Sequence, residues 1–130
     1  MARLISDDAL VVITLWSEAE GEDIIGKTMV AEVIYNRVLD PRWPDSPGQV
    51  VLQPAHFSEW NQNDPRSVRS LLLDDTDPIV QDCIRAWGAA QAGSTFAKGA
   101  NHYHAIHTTP YWAPKMTEVA RHGGHIFYRG

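Results

Sequence analysis

The chain has 130 residues, of which 44% are hydrophobic and 21% are charged, so it can form one hydrophobic core and does not have the composition of a disordered segment. Its formal net charge of −5 excludes the basic surface that nonspecific nucleic-acid binding needs, and it gives no long-range attraction to an anionic polymer. The single cysteine, Cys83, excludes an intramolecular disulfide.

The first predicted helix is central and buried, because apolar residues lie on nearly every side of it. Ser6 is placed as its N-cap, and Gly21 is placed to end it. Glu18 falls in its last turn on a largely apolar face, which predicts that its carboxylate points partly inward. Glu20 and Glu22 lie at or past the break, and we expect them to be exposed.

The acidic turn at residues 18–23 permits two interpretations. One is a solvated turn between two helices, which is the commoner fate of acidic residues. The other is a catalytic glutamate at a helix end, because partial burial favours the protonated carboxyl group that general acid catalysis uses. The local pattern alone leaves both open.

Three further helices are predicted in the middle of the chain. Asp23 can cap a helix over residues 24–38, and Ser46-Pro47 has the form of a helix start for residues 48–52. Residues 53–61 predict a loop that either lines a groove or is pinned into the core by Phe57 and Trp60. Asp64-Pro65 opens a third, short helix.

The last third of the chain changes from helical to extended patterns. Asp77-Pro78 opens a helix over residues 79–92, whose predicted inward residues are Ile79, Cys83, Ile84 and Trp87. Residues 100–105 alternate as an extended segment. Residues 115–121 predict a short helix, residues 122–125 a tight turn, and residues 126–129 a final strand.

Two groups of side chains, most of them in the C-terminal region, are candidates for a ligand-binding or metal-binding site. Five of the six histidines follow residue 100, and together with Glu18 they could act as zinc ligands. Their spacing matches no zinc motif, and histidines more often form hydrogen bonds in a groove or in the structure. The aromatic residues fit either a saccharide groove or a core. The histidines are His102, His104, His107, His122 and His125, and the aromatic residues are Phe57, Trp60, Tyr103, Tyr111, Trp112, Phe127 and Tyr128.

The first 20 residues contain no secretory signal, because the apolar run is short and no small-residue cleavage site follows it. The run is also too short to span a bilayer. We therefore expect a protein made in the cytoplasm that does not insert into a membrane.

Several motifs, in order along almost the whole chain, carry a family resemblance. The first is the acidic turn followed by an apolar helix that ends in Asn-Arg-Val. The second has the form V-x-x-Q-P followed by F-S-x-W. The closing blocks are G-A-x-H-Y, W-A and G-H-x-F-Y-R. The matching residues are Glu18, Ala19, Gly21, Glu22, Asn36, Arg37, Val38, Val50, Gln53, Pro54, Phe57, Ser58, Trp60, Gly99, Ala100, His102, Tyr103, Trp112, Ala113, Gly124, His125, Phe127, Tyr128 and Arg129. The chain thus resembles the cell-wall hydrolase family typified by the spore cortex-lytic enzymes.

This resemblance implies an α+β, mainly α, lysozyme-like single domain over residues 1–130 with a short β element. It implies cleavage of peptidoglycan between N-acetylmuramic acid and N-acetylglucosamine, in the manner of a lytic transglycosylase. Glu18 falls on the family's catalytic glutamate. Two residues depart from the family pattern, since Glu20 replaces a basic residue and Asp23 replaces a proline, and both make the turn more acidic.

We therefore predict Glu18 as general acid and base, with Ser58, Trp60, His102 and Tyr103 binding the sugar. We predict no metal and no cofactor, a monomer, and glycan strands as partner. A bare catalytic domain without a signal would suit a bacteriophage lysin released through a separate membrane pore. The alternatives are a hydrolysing muramidase, a noncatalytic glycan-binding module and a zinc-dependent amidase that uses the histidine cluster.

Overall fold

The computed structural model describes residues 5–53, 57 and 73–130. Within them the chain forms four α-helices, a three-stranded antiparallel sheet and one turn of 3₁₀ helix. In chain order these are α1 (Asp7–Ala19), α2 (Ile24–Leu39), α3 (Pro47–Val51), α4 (Pro78–Gln91), β1 (His102–Ala105), the 3₁₀ turn (Ala113–Lys115), β2 (Thr117–His122) and β3 (His125–Arg129). The predicted mainly helical α+β class is confirmed. The helix predicted to begin at Asp64-Pro65 lies outside the described residues.

The predicted helix starts are confirmed, because each cap accepts a hydrogen bond from an otherwise unpaired amide of the first turn. Ser6 Oγ accepts from the Ala9 amide at 3.1 Å, and Asp23 Oδ1 accepts from the Gly26 amide at 2.8 Å. Ser46 caps α3 in the same way. Local sequence therefore determines where these helices begin.

The core lies where α1, α2 and α4 meet, with α3 against α1. Its largest members with less than 2% exposure include Leu15 of α1 and Ile34 of α2. Cys83 on α4 is also fully buried, as predicted, and burial raises the pKa of its thiol to about 12. This thiol is therefore protonated at neutral pH and packs as an apolar group.

The predicted inward face of α4 is partly wrong. Cys83 and Trp87 are buried, but Ile79 and Ile84 are 37% and 46% exposed. Val80 occupies the core instead, because it lies three residues before Cys83 and seven before Trp87 and so shares their face. The small residues Ala86 and Ala90 complete this face and allow α2 to pack closely.

The helix predicted over residues 115–121 is also wrong. The 3₁₀ turn ends at Lys115, and residues 117–122 form β2, which pairs antiparallel with β3 across the Gly123-Gly124 turn. The strand order is β1-β3-β2, so β3 supplies hydrogen bonds to both neighbours. This pairing outweighs the weak local preference of a short helical segment. The predicted extended segment, tight turn and final strand are confirmed.

The sheet has two differently occupied faces, because successive side chains of a strand point to opposite sides. Tyr103 and Phe127 face the helices and join the main core. Ile126 and Tyr128 point the other way and pack in a second, smaller cluster with Ala113, Trp112 and Met116. The aromatic residues that could have lined a groove are therefore divided between two layers.

The C-terminal end of α2 is joined to the start of β1 by side chains of the Asn-Arg motif. Asn36 Nδ2 donates to the Ala100 carbonyl at 2.9 Å, and Arg37 Nε donates to the Asn101 carbonyl at 2.8 Å. Asn101 in turn bonds both main-chain groups of Gly130 next to β3. These contacts fix the sheet against the helices. Among the described residues, no helix combines the length and apolar character needed to cross a bilayer.

A buried carboxylate holds the loop between α4 and β1. Glu32 of α2 is almost fully buried, and its oxygens accept from Ser94 Oγ at 2.6 Å, the Phe96 amide at 3.1 Å and the Ala97 amide at 2.7 Å. Three donors around one carboxylate compensate for its loss of water. Glu32 is therefore a structural acid.

We expect Glu32→Gln to lower the free energy of unfolding by about 1–3 kcal/mol, because an amide cannot accept all three bonds and leaves a buried donor unpaired. Denaturant unfolding followed by circular dichroism measures this change. Glu118→Gln is the matched control, since Glu118 is exposed and pairs with Arg121 on the surface. Equal stability of the two variants would contradict the structural role of Glu32.

Candidate active site

Glu18 lies in the last turn of α1, immediately before the acidic turn. Its neighbours on the same helix face, Val11, Thr14 and Leu15, have no exposed surface, and Glu18 itself is half-buried. The partial burial of Glu18 fits the predicted partly inward orientation of its carboxylate. The turn that follows is mixed, since Glu20 and Glu22 are half-buried and Gly21 and Asp23 are exposed, so both interpretations of the acidic turn stay predictions.

A buried lysine holds this turn. Lys27, in the first turns of α2, is 3% exposed, and its ammonium group donates to the main-chain oxygens of Glu20, at 3.3 Å, and of Glu22. Carbonyl groups that follow the end of a helix have no helical partner, and a cation is favoured there by the helix dipole. Lys27 therefore fixes the main chain just after Glu18.

The prediction that Glu22 is exposed is wrong, since only 17% of its side chain is accessible. Its Oε1 accepts from the Gly124 amide at 3.0 Å, so the carboxylate is inserted under the β2–β3 turn. Gly123 has a φ of +54°, and a β-carbon there would lie 2.2 Å from Glu22 Oε1. The Gly-Gly sequence thus provides both the left-handed turn and the space for Glu22.

A second contact joins the same two turns. His122 Nε2 lies 2.8 Å from Asp23 Oδ1, and the pKa of Asp23 is lowered, first by the hydrogen bond from the Gly26 amide and then by the one from His122. Asp23 departs from the family pattern, and its side chain here both caps α2 and binds the sheet. The acidic turn is therefore attached to the hairpin through two adjacent carboxylates.

His125, the first residue of β3, brings the sheet close to Glu18. Its ring lies edge-on to Tyr103 with centroids 5.1 Å apart, and its Nδ1 lies 3.6 Å from Glu22 Oε1. Burial lowers the pKa of His125, and the charges of Glu22 and then Glu18 oppose this effect. Glu18, Glu22, His125 and Tyr103 thus form one neighbourhood. The sequence signalled His125 in two ways, as part of the G-H-x-F-Y-R block and as one of the C-terminal histidines.

A buried cation lies on the other side of Tyr103. Arg37 is largely buried, which lowers the pKa of its guanidinium group, while Tyr103 has the opposite effect. The guanidinium carbon is 5.3 Å from the ring centre of Trp43 and 5.7 Å from that of Phe57. These are cation–π distances, and they compensate in part for the lost hydration of Arg37. Phe57 is thus pinned into the core.

The predicted sugar-binding residues are not all on one face. Tyr103 faces the helices beside His125, whereas His102 leaves β1 on the other side and contacts Trp43 and Trp112, with ring centroids 5.7 and 5.2 Å apart. Tyr111, next to Trp112, is 84% exposed. Ser58 and Trp60 lie outside the described residues. The binding roles of these four residues stay predictions.

The histidine cluster divides in the same way. His104 stacks on Tyr128 and its Nε2 lies 2.8 Å from the Tyr128 hydroxyl, while His122 and His125 lie at the acidic turn. Within the described ranges, no three His, Cys, Asp or Glu side chains form a group that could hold a metal ion. The zinc-site alternative gains no geometric support from these residues.

We expect Gly123→Ala to displace the Glu22 carboxylate and to destabilise the protein by about 1–2 kcal/mol, because it adds backbone strain and a clash. Hydrogen exchange of the Gly124 amide measures the displacement directly and should become faster. Gly93→Ala is the control: Gly93 also has positive φ, but nothing lies within 4 Å of its added β-carbon. Unchanged Gly124 exchange in Gly123→Ala would contradict the packing of Glu22 against this turn.

Two curated relatives resemble nearly the whole chain. The spore cortex-lytic enzyme of Halalkalibacterium halodurans is 27% identical over 128 residues, which cover 94% of this chain and 34% of that protein. The spore cortex-lytic enzyme of Bacillus subtilis is 24% identical over 122 residues, which cover 94% of this chain and 37% of that protein. The chain therefore spans about a third of the length of these relatives.

Two solved structures share the fold. The catalytic domain of the germination-specific lytic transglycosylase SleB from Bacillus anthracis matches with a TM-score of 0.77 and 23% identity, covering 99% of this chain and all of that one. The catalytic domain of the Bacillus cereus SleB protein also gives a TM-score of 0.77, with 24% identity and coverage of 95% and 89%. These matches show that the chain shares the mainly helical α+β fold of these catalytic domains.

The sequence pattern of the cell wall hydrolase family matches residues 21–128, which is most of the chain. The match begins at Gly21, three residues after Glu18, and includes Glu22 and Asp23 of the turn, the Asn-Arg motif and the closing block as far as Tyr128. The resemblance noted from the motifs is thereby confirmed, and the chain belongs to the cell wall hydrolase family.

Proposed function

We propose that this domain cleaves the glycan strands of bacterial peptidoglycan between N-acetylmuramic acid and N-acetylglucosamine, as a lytic transglycosylase with Glu18 as its general acid and base. The observation that carries the proposal is the family match over residues 21–128, which begins three residues after Glu18, a half-buried glutamate at the end of α1. The names of the relatives and of the solved domains support the same chemistry.

The surroundings of Glu18 suit general acid catalysis. The carboxylate is half-buried at a helix end whose main chain is fixed by Lys27, and the acidic side chain of Glu22 lies in the same neighbourhood. A fixed main chain keeps the acid in the orientation that proton transfer needs.

In the proposed reaction, Glu18 donates its proton to the oxygen that joins C1 of the muramoyl sugar to the next sugar, and the C1–O bond breaks. The Glu18 carboxylate then takes the proton of the muramoyl 6-hydroxyl group, and this oxygen bonds to C1. The products are a 1,6-anhydromuramoyl end and a free hydroxyl group on the leaving sugar, without consumption of water. A second catalytic carboxylate is not required, in contrast to ordinary glycosidases.

Glu22 does not serve as that second carboxylate in this proposal, because its Oε1 is engaged by the Gly124 amide under the hairpin. Tyr103 is the described candidate for orienting the sugar, since it contacts His125 next to Glu18. Ser58, Trp60 and His102 complete the proposed binding residues through their motif positions. His102 would act from the opposite face of β1 at the edge of the sheet.

We propose that residues 1–130 form a single catalytic domain that works as a monomer and without membrane insertion. The structural match covers the whole of the Bacillus anthracis catalytic domain, which supports the assignment of a single domain. The place of action is the cell wall, as the family indicates. The phage-type route to the wall stays a prediction.

We expect Glu18→Gln to reduce glycan cleavage by about 10²–10⁴-fold or more, because it removes the proton donor while conserving size. The measurement is digestion of purified peptidoglycan with the products identified by mass spectrometry. Glu20→Gln is the matched control, because it removes the same charge from the same turn without touching the proposed acid. It should retain activity, and both variants should keep the wild-type thermal unfolding.

The products distinguish the alternatives. Anhydromuramoyl ends that disappear in Glu18→Gln support the lytic transglycosylase. Reducing muramoyl ends indicate a hydrolysing muramidase, and binding without products indicates a glycan-binding module. Released peptides and loss of activity with a chelator indicate a zinc-dependent amidase. Full activity of Glu18→Gln would refute the assignment of Glu18.

A further inference from the structure

A groove lies between α1 and α4, on a different face of α1 from Glu18. Its volume is about 540 Å³, which falls in the range of about 300–1,000 Å³ that small-molecule sites occupy. Glu18 shares its helix face with Val11 and Leu15, whereas α1 contributes Val12 and Ile13 to the groove. The groove is therefore separate from the neighbourhood of Glu18.

Most of the groove wall is apolar. Trp87 and Val80 are buried parts of this wall, while Ile84 is 46% exposed. The described apolar side chains that line the groove are Val12, Ile13, Leu73, Val80, Ile84 and Trp87. Because apolar surface in contact with water is unfavourable, a ligand with an apolar body gains free energy by covering this wall. The groove also explains Ile84, which the sequence predicts as inward-facing and which lies here and not in the core.

Gly88 leaves space in the groove for which the packing gives no reason. It lies inside α4, where glycine is destabilising relative to alanine. A β-carbon added to Gly88 would meet no heavy atom of the described residues within 4 Å, so close packing does not account for the glycine. A larger side chain at this position would lie over the preceding turn, which carries Ile84, and would fill part of the groove.

Every charged residue in the described lining of the groove is an aspartate. These residues are Asp8, Asp74 and Asp75, and all three are exposed. Asp8 is held in place, because its Oδ1 accepts a hydrogen bond from Trp87 Nε1 at 2.8 Å. Hydrogen bonds from Thr76 lower the pKa of Asp74, so this carboxylate is ionised at neutral pH. An apolar groove edged by carboxylates favours a cationic ligand and disfavours an anionic one.

We propose that this groove binds a small amphiphilic organic cation, whose apolar body lies between α1 and α4 over Gly88 and whose charged group lies beside Asp8. This binding does not depend on the proposed reaction at Glu18. Because the bound cation contacts both helices of the folded protein, it stabilises the packing of α1 on α4 and raises the temperature of unfolding.

The first test uses octyltrimethylammonium, below its micellar concentration, as the probe. Its titration into the whole protein is followed by NMR on the indole signal of Trp87, and we expect a saturable shift. Tetramethylammonium lacks the apolar chain, and octyl sulfate has the same chain with an anionic group, so each should bind about tenfold more weakly or worse. Equal binding of octyl sulfate, or no saturable shift with octyltrimethylammonium, would overturn the proposal.

The second test fills the groove. Gly88→Leu should weaken the binding of octyltrimethylammonium by about tenfold or more, because the leucine occupies the space of the apolar chain. Since leucine is the better helix former, this variant should also unfold at a higher temperature than the wild type without ligand. Arg85→Leu adds the same side chain to an exposed position of α4 outside the described lining, and it should bind at least as tightly as the wild type. Undiminished binding by Gly88→Leu would contradict the proposed location.

The third test removes one charge. In Asp8→Asn the side chain can still accept from Trp87 Nε1 but carries no charge, so binding should weaken by about two- to fivefold, as for an exposed ion pair. Asp82→Asn is the matched control, because Asp82 lies on α4 outside the described lining and pairs with Arg85 on the surface. It should keep the wild-type affinity. Equal effects of the two substitutions would indicate a response to net charge alone and would refute the place of the charged group.

Discussion

The ammonium group of Lys27 lies inside the protein and bonds the main-chain oxygens of Glu20 and Glu22. A buried lysine without such partners would be strongly destabilising, so this contact and the fold depend on each other. It joins the end of α1 to the start of α2 across the acidic turn. As a consequence, Glu18 precedes a turn whose main chain is held by hydrogen bonds, which suits the fixed geometry that general acid catalysis needs.

The sheet also contacts the acidic turn that Lys27 holds. The β2–β3 turn reaches the acidic turn through the Gly124 amide and through the contact between His122 and Asp23. The glycines of this turn are needed because Glu22 occupies the space that a side chain at Gly123 would fill. Asp23 stands where the family pattern has a proline, which has no carboxylate. The Asp23 carboxylate is accommodated by two contacts in this chain, with the Gly26 amide and with His122.

The electrostatics of the site are local. The net charge of −5 offers no long-range attraction to an anionic wall polymer, so the proposed binding of glycan relies on short-range contacts at the site. Within the site, acidic groups from α1 and the turn face His125 and Tyr103 from the sheet. Burial lowers the pKa of His125, and the charges of Glu22 and Glu18 act in the opposite direction.

The sequence by itself determined the features that depend on neighbouring residues. Ser6, Asp23 and Ser46 act as helix caps because a cap bonds amides two or three positions away, and the motif around Glu18 identified the family. The tertiary structure alone decided the rest. Residues 117–122 form a strand because β3 is available to pair with them, and Glu22 is buried because the hairpin covers it. The burial of Glu22 depends on residues about 100 positions apart, so no local pattern contains it.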